Sequence, residues 1–299
     1  MRKRVSGLPR NLAAASHVVV QYRLSRLRGG KRALRSVYDL CARLARRPPA
    51  NWHRADNNFG DQMAPFLLQA ATGDAPIWVP GWYPGKILGL GSLIHRVQDG
   101  DLVWGTGASE NRPVTLGPSA RVFAVRGPLT RELLGTEAPE VYGDPGLLLP
   151  RYYDRPQEPM YDVGIVPHYL DKPFMHAPPD PAILMIDVQA PWPRVVDNIR
   201  KCRAIVSSSL HGLIVAEAYG IPATWSSAGD RVPGGTFKFH DYYLGTHREP
   251  PSALRWDGRL PRRLVAPPPP QLDLESLIAA GRRAVEYQAI ATKLLTDRS

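Results

Sequence analysis

The sequence has few cysteines and no long apolar run. Cys41 and Cys202 are the only two cysteines among 299 residues. Neither has the Cys-x-x-Cys or Cys/His spacing of a zinc site, which favours a reduced, cytoplasmic setting. No apolar stretch reaches the ~18–20 residues that span a bilayer. The basic first residues are followed by an apolar segment that His17 interrupts, so we expect no cleaved signal peptide.

Several catalytic motifs are also missing. The sequence contains no G-x-x-x-x-G-K-[ST] phosphate-binding loop, no G-x-S-x-G nucleophile elbow and no metal-ligand spacing of acids and histidines. These absences disfavour an NTPase, an esterase with a catalytic triad and a metal-dependent hydrolase. We therefore expect neither a metal nor a bound cofactor.

The positive charge is confined to one end of the chain. Residues 1–50 hold 13 Lys/Arg and one acid, whereas the rest of the chain holds 25 bases and 26 acids. A neutral body argues against a groove that binds nucleic acid. The sequence divides into a basic arm (1–50), two α/β segments (51–155 and 156–270) and a closing segment (271–299) that we predict to be helical.

The basic arm shows the pattern of an amphipathic helix. Apolar residues recur at helical spacing between arginines, with Gly29-Gly30 as a break: Leu24, Leu27, Leu34, Val37, Tyr38, Cys41 and Leu44. One interpretation is attraction of residues 1–46 to an anionic membrane surface, which would place the protein on the inner face of the plasma membrane. The other is a solvated helix whose apolar stripe packs on the body.

The body alternates short apolar runs with helical stretches, which predicts an α/β fold with parallel sheets. In the first series we predict helices over 61–72 and 128–134 and strands near Ile87–Leu90, Leu102–Trp104, Val122–Val125 and Val141–Tyr142. In the second we predict strands near Val163–Val166, Ile183–Ile186, Ala204–Ser207 and Ala223–Trp225. A helix over Leu272–Leu295 closes the chain.

The strongest local signal is a strand that runs into a turn of small residues and then a helix. The strand Ala204–Ser207 is followed by Ser208 and Ser209, and a helix begins near His211 or Gly212. The free N–H groups of a first helical turn favour an anion, and ligands bind where parallel strands end. His211 is then a proton carrier or a phosphate contact. The structural alternative is that Ser209 caps the helix and His211 is a surface residue.

Other candidates follow predicted strands or begin helices. They are Asn58 and Asp61 at the start of the helix over 61–72, Gly107 in a Gly-rich turn, Arg126 and His168 directly after strands, and Lys238, Tyr242 and Tyr243 in an aromatic-rich segment. An arginine fork after a strand can bind a carboxylate or a phosphate through two hydrogen bonds. Each of these residues also has an ordinary structural explanation as a cap, a surface ion pair or a packed loop.

Taken together, these segments resemble the polysaccharide pyruvyl transferase family. The matching pieces occur in family order over about residues 56–245. They are Asn58-Phe59-Gly60-Asp61, Gly105-Thr106-Gly107, Val125-Arg126-Gly127-Pro128, Gly143-Asp144-Pro145, Val166-Pro167-His168-Tyr169, Ser208-Ser209-Leu210-His211-Gly212 and Ala218-Tyr219-Gly220-Ile221-Pro222. Many relatives carry an arginine two residues before the histidine, where this chain has Ser209, so a donor-binding cation has to come from elsewhere, with Lys238 as the candidate.

The resemblance implies two Rossmann-like domains facing across a cleft, as in GT-B glycosyltransferases. It also implies transfer of the enolpyruvyl unit of phosphoenolpyruvate (PEP), a co-substrate, onto two hydroxyls of a sugar in a bacterial-type exopolysaccharide or its lipid-linked precursor. The products would be a cyclic pyruvate ketal and phosphate.

On that reading the candidates divide into three groups. His211, Arg126 and His168 are catalytic; Ser208, Ser209, Leu210, Gly212, Lys238 and Gly107 bind the donor; Asn58, Asp61, Tyr242 and Tyr243 face the acceptor sugar.

Two alternatives stay open. One is a GT-B-like glycosyltransferase that uses a nucleotide sugar, with Glu217 reaching a ribose. The other is a non-catalytic, membrane-associated adaptor that binds through its basic arm.

Overall fold

The computed structural model describes residues 30–45, 47–135, 138–261 and 264–296. The chain divides into two compact units, with the boundary between Arg47 and Pro48. In the first unit, helix α1 spans Gly30–Ala45 and confirms the amphipathic helix predicted there. The predicted positions Leu24 and Leu27 lie outside the described residues. None of the described helices combines the length and the apolar character needed to cross a bilayer.

The second unit begins with a parallel five-stranded sheet in the order β2-β1-β3-β4-β5. Its strands are β1 (Pro49–Asn51), β2 (Ile77–Trp78), β3 (Ile87–Leu88), β4 (Leu102–Trp104) and β5 (Arg121–Ala124). The sequence patterns predicted β3, β4 and β5 but not β1 and β2, which are too short to show a period. The predicted strand Val141–Tyr142 forms only an isolated bridge, between Tyr142 and Val125.

The helices of this half begin and end at residues that favour helix termini. They are α2 (Phe59–Thr72), α3 (Pro128–Leu134) and α4 (Leu149–Tyr152), with 3₁₀ turns at Ile94–Arg96 and Pro145–Leu148. The side chain of Asn58 caps α2, and Gly73, in the left-handed conformation, ends it. Pro128 occupies the first turn of α3, where its missing N–H costs nothing.

A second parallel sheet follows, in the order β10-β9-β8-β6-β7. Its strands are β6 (Tyr161–Val166), β7 (Ile183–Met185), β8 (Cys202–Ser207), β9 (Ala223–Ser227) and β10 (Leu254–Arg255); its helices are α5 (Trp192–Arg200), α6 (Leu210–Ala218) and α7 (Phe237–Gly245). The predicted strands β6 to β9 are confirmed within two residues at most ends. The segment containing Tyr242 and Tyr243 is helix α7.

The last helix, α8 (Leu274–Thr296), returns to the first sheet. The indole of Trp104 at the end of β4 donates a hydrogen bond to the carbonyl of Leu277 (2.8 Å). Gly281 lets α8 approach the same ring, because a Cβ at that position would lie 2.7 Å from it. The helix predicted over Leu272–Leu295 is thus confirmed. It packs on the first half of the body, against β4.

The two halves meet where α2 begins. The amide of Phe59 donates to the carbonyl of Val188 (2.8 Å), and the side chain of Asn57 donates to the carbonyl of Gln189 (2.7 Å). Apolar residues of α2, α5 and α6 belong to one continuous buried cluster. The body is therefore an α/β fold with two parallel sheets, and the start of α2 lies against the loop that follows β7. The GT-B-like arrangement of two domains across a cleft remains a prediction.

Candidate functional site

Three consecutive serines tie the ends of β8 and β6 together. Ser207 Oγ donates to the carbonyl of Val166 (2.8 Å) and accepts from the amide of Ser209 (3.0 Å). Ser208 Oγ accepts from the amide of His168 (2.9 Å). All three serines are buried. The bonds to Val166 and His168 join the end of β8 to the end of β6, so Ser207 and Ser208 fix His168 beside the start of α6.

In the first turn of α6, the backbone N–H groups rather than the side chains are the groups suited to bind a ligand. Ser209 occupies the N-cap position without making a side-chain cap, so the predicted capping role is not observed. Leu210 is buried. Gly212 allows the helix to start close to the strand, since a Cβ would lie 2.4 Å from Ser207 Oγ. The N–H groups that begin α6 are thus the groups of this turn suited to an anion.

His211 lies between groups of the first half of the body. It is 8% exposed, and its ring covers Gly60 so closely that a Cβ there would lie 1.9 Å from Nδ1. Its Nε2 is 3.7 Å from Oδ2 of Asp144. Both of these atoms are buried and have no hydrogen-bond partner in the part of the chain that the structure describes. The other oxygen of Asp144 accepts from the amide of Gly146 (2.9 Å), which fixes the carboxylate.

A second carboxyl group, at the start of α2, lies near enough to His211 for the two to interact electrostatically. Asp61 stands in the first turn of that helix and is buried. Burial raises the pKa of its carboxyl group, and the neighbouring His211 opposes this shift. The side-chain oxygen of Asn58, in contrast, already has a partner in the protein, because Oδ1 accepts a hydrogen bond from the amide of Gly60 (3.1 Å). Of the two predicted acceptor contacts on α2, Asp61 is the one that lies beside the imidazole.

His168 lies buried at the end of β6, with its ring tilted by 33° against that of Tyr169 and 4.4 Å between the ring centroids. Burial and the positive charge of Lys238 lower the pKa of His168 to about 4, so the ring is neutral near pH 7. Its Nδ1 accepts from the amide of Leu170 (3.3 Å). A neutral ring that accepts through Nδ1 carries its proton on Nε2. His168 is therefore equipped to donate a hydrogen bond to an oxygen.

Lys238, in the first turn of α7, brings a positive charge into this region, with Nζ 5.4 Å from the centre of the Phe239 ring. Burial and the positive charge of Arg126 lower the pKa of Lys238 to about 8, while Asp171 and Asp61 act in the opposite direction. Among the described residues, Nζ has no hydrogen-bond or ion-pair partner. Asp171 is fully buried, and neither of its carboxylate oxygens has a hydrogen-bond partner among those residues. Buried polar groups are usually hydrogen-bonded, so a carboxylate and an ammonium group without such partners are candidates for contact with a polar ligand.

Arg126 does not offer the open fork that its position after β5 predicted. Its side chain is 0% exposed, and each guanidinium nitrogen already donates to protein: Nε to Asp241 Oδ2 (3.1 Å), Nη1 to Ser92 Oγ (2.9 Å) and Nη2 to the carbonyl of Ala108 (2.5 Å). Gly107 covers the guanidinium, because a Cβ there would lie 2.4 Å from its central carbon. Arg126 thus contributes charge and packing to the region, and Gly107 makes room for it.

The predicted stacking of Tyr242 and Tyr243 on a sugar is not supported. Both side chains are fully buried. The hydroxyl of Tyr242 donates to Glu217 Oε2 (2.6 Å), and Arg248 pairs with the same oxygen (2.7 Å). The reason is that these two side chains lie on the face of α7 that packs into the core. The sequence pattern did not distinguish this helix from a loop. Glu217 is buried as well: Tyr242 and Arg248 hold its Oε2, whereas its Oε1 has no hydrogen-bond partner among the described residues.

Three residues of this region were not singled out from the sequence. Asp144 was noticed only as part of Gly143-Asp144-Pro145, Asp241 stands unremarked in the aromatic-rich segment of Lys238, and Asp171 follows His168 without a motif of its own. The groups that Asp144 and Asp241 meet lie far away in the chain, so no local signal points to them. The structure therefore brings together His211, His168, Lys238, Asp61, Asp144 and Asp171. Within the described ranges, no three His, Cys, Asp or Glu residues are arranged to hold a metal ion.

Comparison with known proteins agrees with the resemblance found in the sequence. Residues 115–228 match the family model for polysaccharide pyruvyl transferase. The resemblance is thus confirmed over this range, which contains Asp144, His168, Asp171 and His211. Asp61 and Lys238 lie outside it.

A curated relative carries no assigned function in its name. The chain is 40% identical over 108 residues to uncharacterized protein L143 of Acanthamoeba polyphaga mimivirus, a match that covers 33% of this chain and 38% of the viral protein. The similarity thus spans little more than a third of the relative and assigns no activity.

Proposed function

We propose that this protein is a pyruvyl transferase that moves the enolpyruvyl unit of PEP onto two hydroxyls of a sugar, in an exopolysaccharide or its lipid-linked precursor. The products are a cyclic pyruvate ketal and inorganic phosphate. The observation that carries the proposal is the position of His211, at the start of α6 and between Asp61 and Asp144. The family match over residues 115–228 supports the class of reaction.

The donor is a small anion with a phosphate and a carboxylate, and the site has matching groups. The first N–H groups of α6 and the ammonium group of Lys238 bind the two anionic ends. His168 donates a hydrogen bond from Nε2 to an oxygen of the donor or the acceptor. These groups neutralise the donor without help from the guanidinium of Arg126, which is buried and donates from each of its three nitrogens to protein partners.

The reaction requires two proton transfers. His211 delivers a proton to the methylene carbon of PEP, which becomes the methyl group of the ketal and leaves C2 electron-poor. A sugar hydroxyl adds to C2, the C–O bond to phosphate breaks, and the second hydroxyl closes the ring. One hydroxyl proton replaces the proton that His211 gave, and the other leaves with phosphate. Asp61 takes the first of these protons from the acceptor hydroxyl and passes it to His211, which restores both groups, and Asp144 orients the imidazole.

The test is substitution of the imidazole. His211→Ala is expected to lose about 10²–10⁴-fold in phosphate release from PEP, with candidate glycan repeat units as acceptors and the new ketal methyl group followed by NMR. His95→Ala, at a histidine that contacts the carbonyl of Arg112 away from the site, is the matched control. A fully active His211→Ala variant would contradict the assignment.

A second measurement separates this proposal from its alternatives. A true donor raises the melting temperature by mass action, so PEP should stabilise the protein and a panel of nucleotide sugars should not. Stabilisation by a nucleotide sugar alone would favour a glycosyltransferase instead. Stabilisation by neither, with vesicle binding intact, would favour a non-catalytic adaptor.

We also propose that residues 1–46 attach the protein to an anionic membrane surface from the cytoplasmic side. In α1, Val37 is 55% exposed, and Lys31 and Arg35 are exposed on the same helix. Apolar and basic side chains exposed on one helix suit the interface of an anionic bilayer. Deletion of residues 1–46 should abolish sedimentation with anionic vesicles and leave conversion of a free acceptor unchanged. Loss of both activities would instead indicate a structural role for the arm.

A further inference from the structure

Helix α7 is held by both halves of the body. On one side, the ring of Phe239 stacks on Trp225 of β9, with 4.4 Å between ring centroids and 17° between planes. On the other side, the carboxylate of Asp241 reaches the first half. A helix fixed on two sides places any residue of its first turn accurately, and Lys238 stands there.

The carboxylate of Asp241 is buried and accepts three hydrogen bonds. Its Oδ1 accepts from the amide of Thr130 (2.8 Å), and its Oδ2 accepts from Thr130 Oγ1 (2.6 Å) and from Arg126 Nε (3.1 Å). Thr130 lies in the first turn of α3, whose N-cap residue, Gly127, has no side chain to cap it. Asp241 thus supplies from α7 the carboxylate that the start of α3 lacks.

The backbones are close enough that only glycine fits at two positions. A Cβ on Gly127 would lie 1.8 Å from the carbonyl oxygen of Asp241, and a Cβ on Gly245 would lie 2.3 Å from the carbonyl oxygen of Arg126. The contact between α7 and residues 126–127 is therefore backbone against backbone. Such contact leaves α7 little freedom to slide.

Lys238 and Asp241 are three residues apart on α7, so they share one face of the helix. We propose that Asp241 is a positioning residue: by holding α7 against Arg126 and the start of α3, it places the ammonium group of Lys238 at the anion-binding site. The inference rests on the proposed function, in which Lys238 binds PEP. It assigns to Arg126 a role in holding Asp241 rather than in binding the donor directly.

The experiment compares two buried ion pairs. Asp241→Asn removes the charge from one, and Asp101→Asn removes it from the other, the Lys86–Asp101 pair, which is equally buried and lies away from α7. The dissociation constants of PEP and of inorganic phosphate are measured by calorimetry, well below the melting temperature of each variant. Asp241→Asn should weaken PEP binding by about ten- to a hundredfold, and Asp101→Asn should lower only the melting temperature.

A milder pair of variants covers the case in which Asp241→Asn does not fold. Thr130→Val removes the hydroxyl bonded to Asp241, and Thr130→Ser keeps it. PEP binding should weaken in the first and be retained in the second. Equal PEP binding by both would overturn the inference.

A double-mutant cycle shows whether Asp241 acts through Lys238. In a Lys238→Ala background, Asp241→Asn should cause no further loss of PEP binding. Additive losses, or PEP binding by Asp241→Asn equal to that of the unmodified protein, would overturn the inference and leave the proposed function standing. If the unmodified protein binds no PEP, the proposed function fails, and the role given to Asp241 fails with it.

Discussion

Gly60→Ala is expected to displace the imidazole of His211, the proposed proton donor, without unfolding the protein. A Cβ at residue 60 would lie 1.9 Å from Nδ1 of His211 and 2.4 Å from Cγ, whereas an ordinary contact begins at 3.4 Å. The ring therefore has to retreat by about 1.5 Å. Cγ is attached directly to Cβ of His211, so rotation of the outer ring alone does not relieve the contact. The imidazole must leave its place beside Asp144 and Asp61.

The size of the effect follows from the geometry. A misplacement of about 1 Å at a reacting group can cost a factor of about 100 in rate, which corresponds to about 2.7 kcal/mol in the barrier. Alanine is also a better helix former than glycine by about 1 kcal/mol, and Gly60 lies in α2. The melting temperature should thus change little while kcat for phosphate release falls about 100-fold.

Gly81→Ala is the matched control, because a Cβ at Gly81 meets nothing within 4 Å. It should keep the unmodified rate. Phosphate release from PEP and thermal unfolding are measured for both variants under the same conditions. A Gly60→Ala variant with unmodified kcat would refute the placement of His211 as a reacting group.

Three further predictions concern charge near the site. Lys238 is charged below a pKa of about 8 and faces Arg126, Asp171, Asp61 and His168. We therefore expect kcat/KM for PEP to fall as pH rises through 8. The Lys238→Arg variant, which stays charged, should shift that fall to higher pH. Asp171→Asn removes a negative charge that favours the ammonium form of Lys238, so the fall should begin at lower pH, whereas a purely structural effect would change only the melting temperature. His168 has a pKa lowered to about 4, so between pH 6.5 and 4 the unfolded chain binds more protons at this residue and stability falls as pH falls. In the His168→Gln variant, the urea concentration at the unfolding midpoint should depend less on pH between pH 6.5 and 4. An unchanged pH dependence would count against burial of His168 as the cause of the loss of stability.

Local patterns predicted the strand-turn-helix from β8 to α6 and the start of α2. The apolar run before Ser207, the small residues after it and the helical period beyond them all lie within about a dozen residues. Asn58 followed by an apolar helical repeat predicted a cap that the structure confirms. These features depend on interactions between residues close in sequence, so the sequence alone indicates them.

The accessibility of the same residues depends on partners far along the chain. Arg126 is enclosed because Asp241, 115 positions later, meets it, and His211 acquires Asp144 from the other half of the body. Tyr242 and Tyr243 face the core because α7 packs against Glu217 and Arg248.

Apolar periodicity and capping act over a few residues, so local patterns predict the parallel α/β architecture and the order of its motifs. Which charged groups are free and which are paired depends on how distant segments pack, because packing sets burial and ion pairing. That is why His211 and Lys238 became the centre of the site, while Arg126 became part of its support.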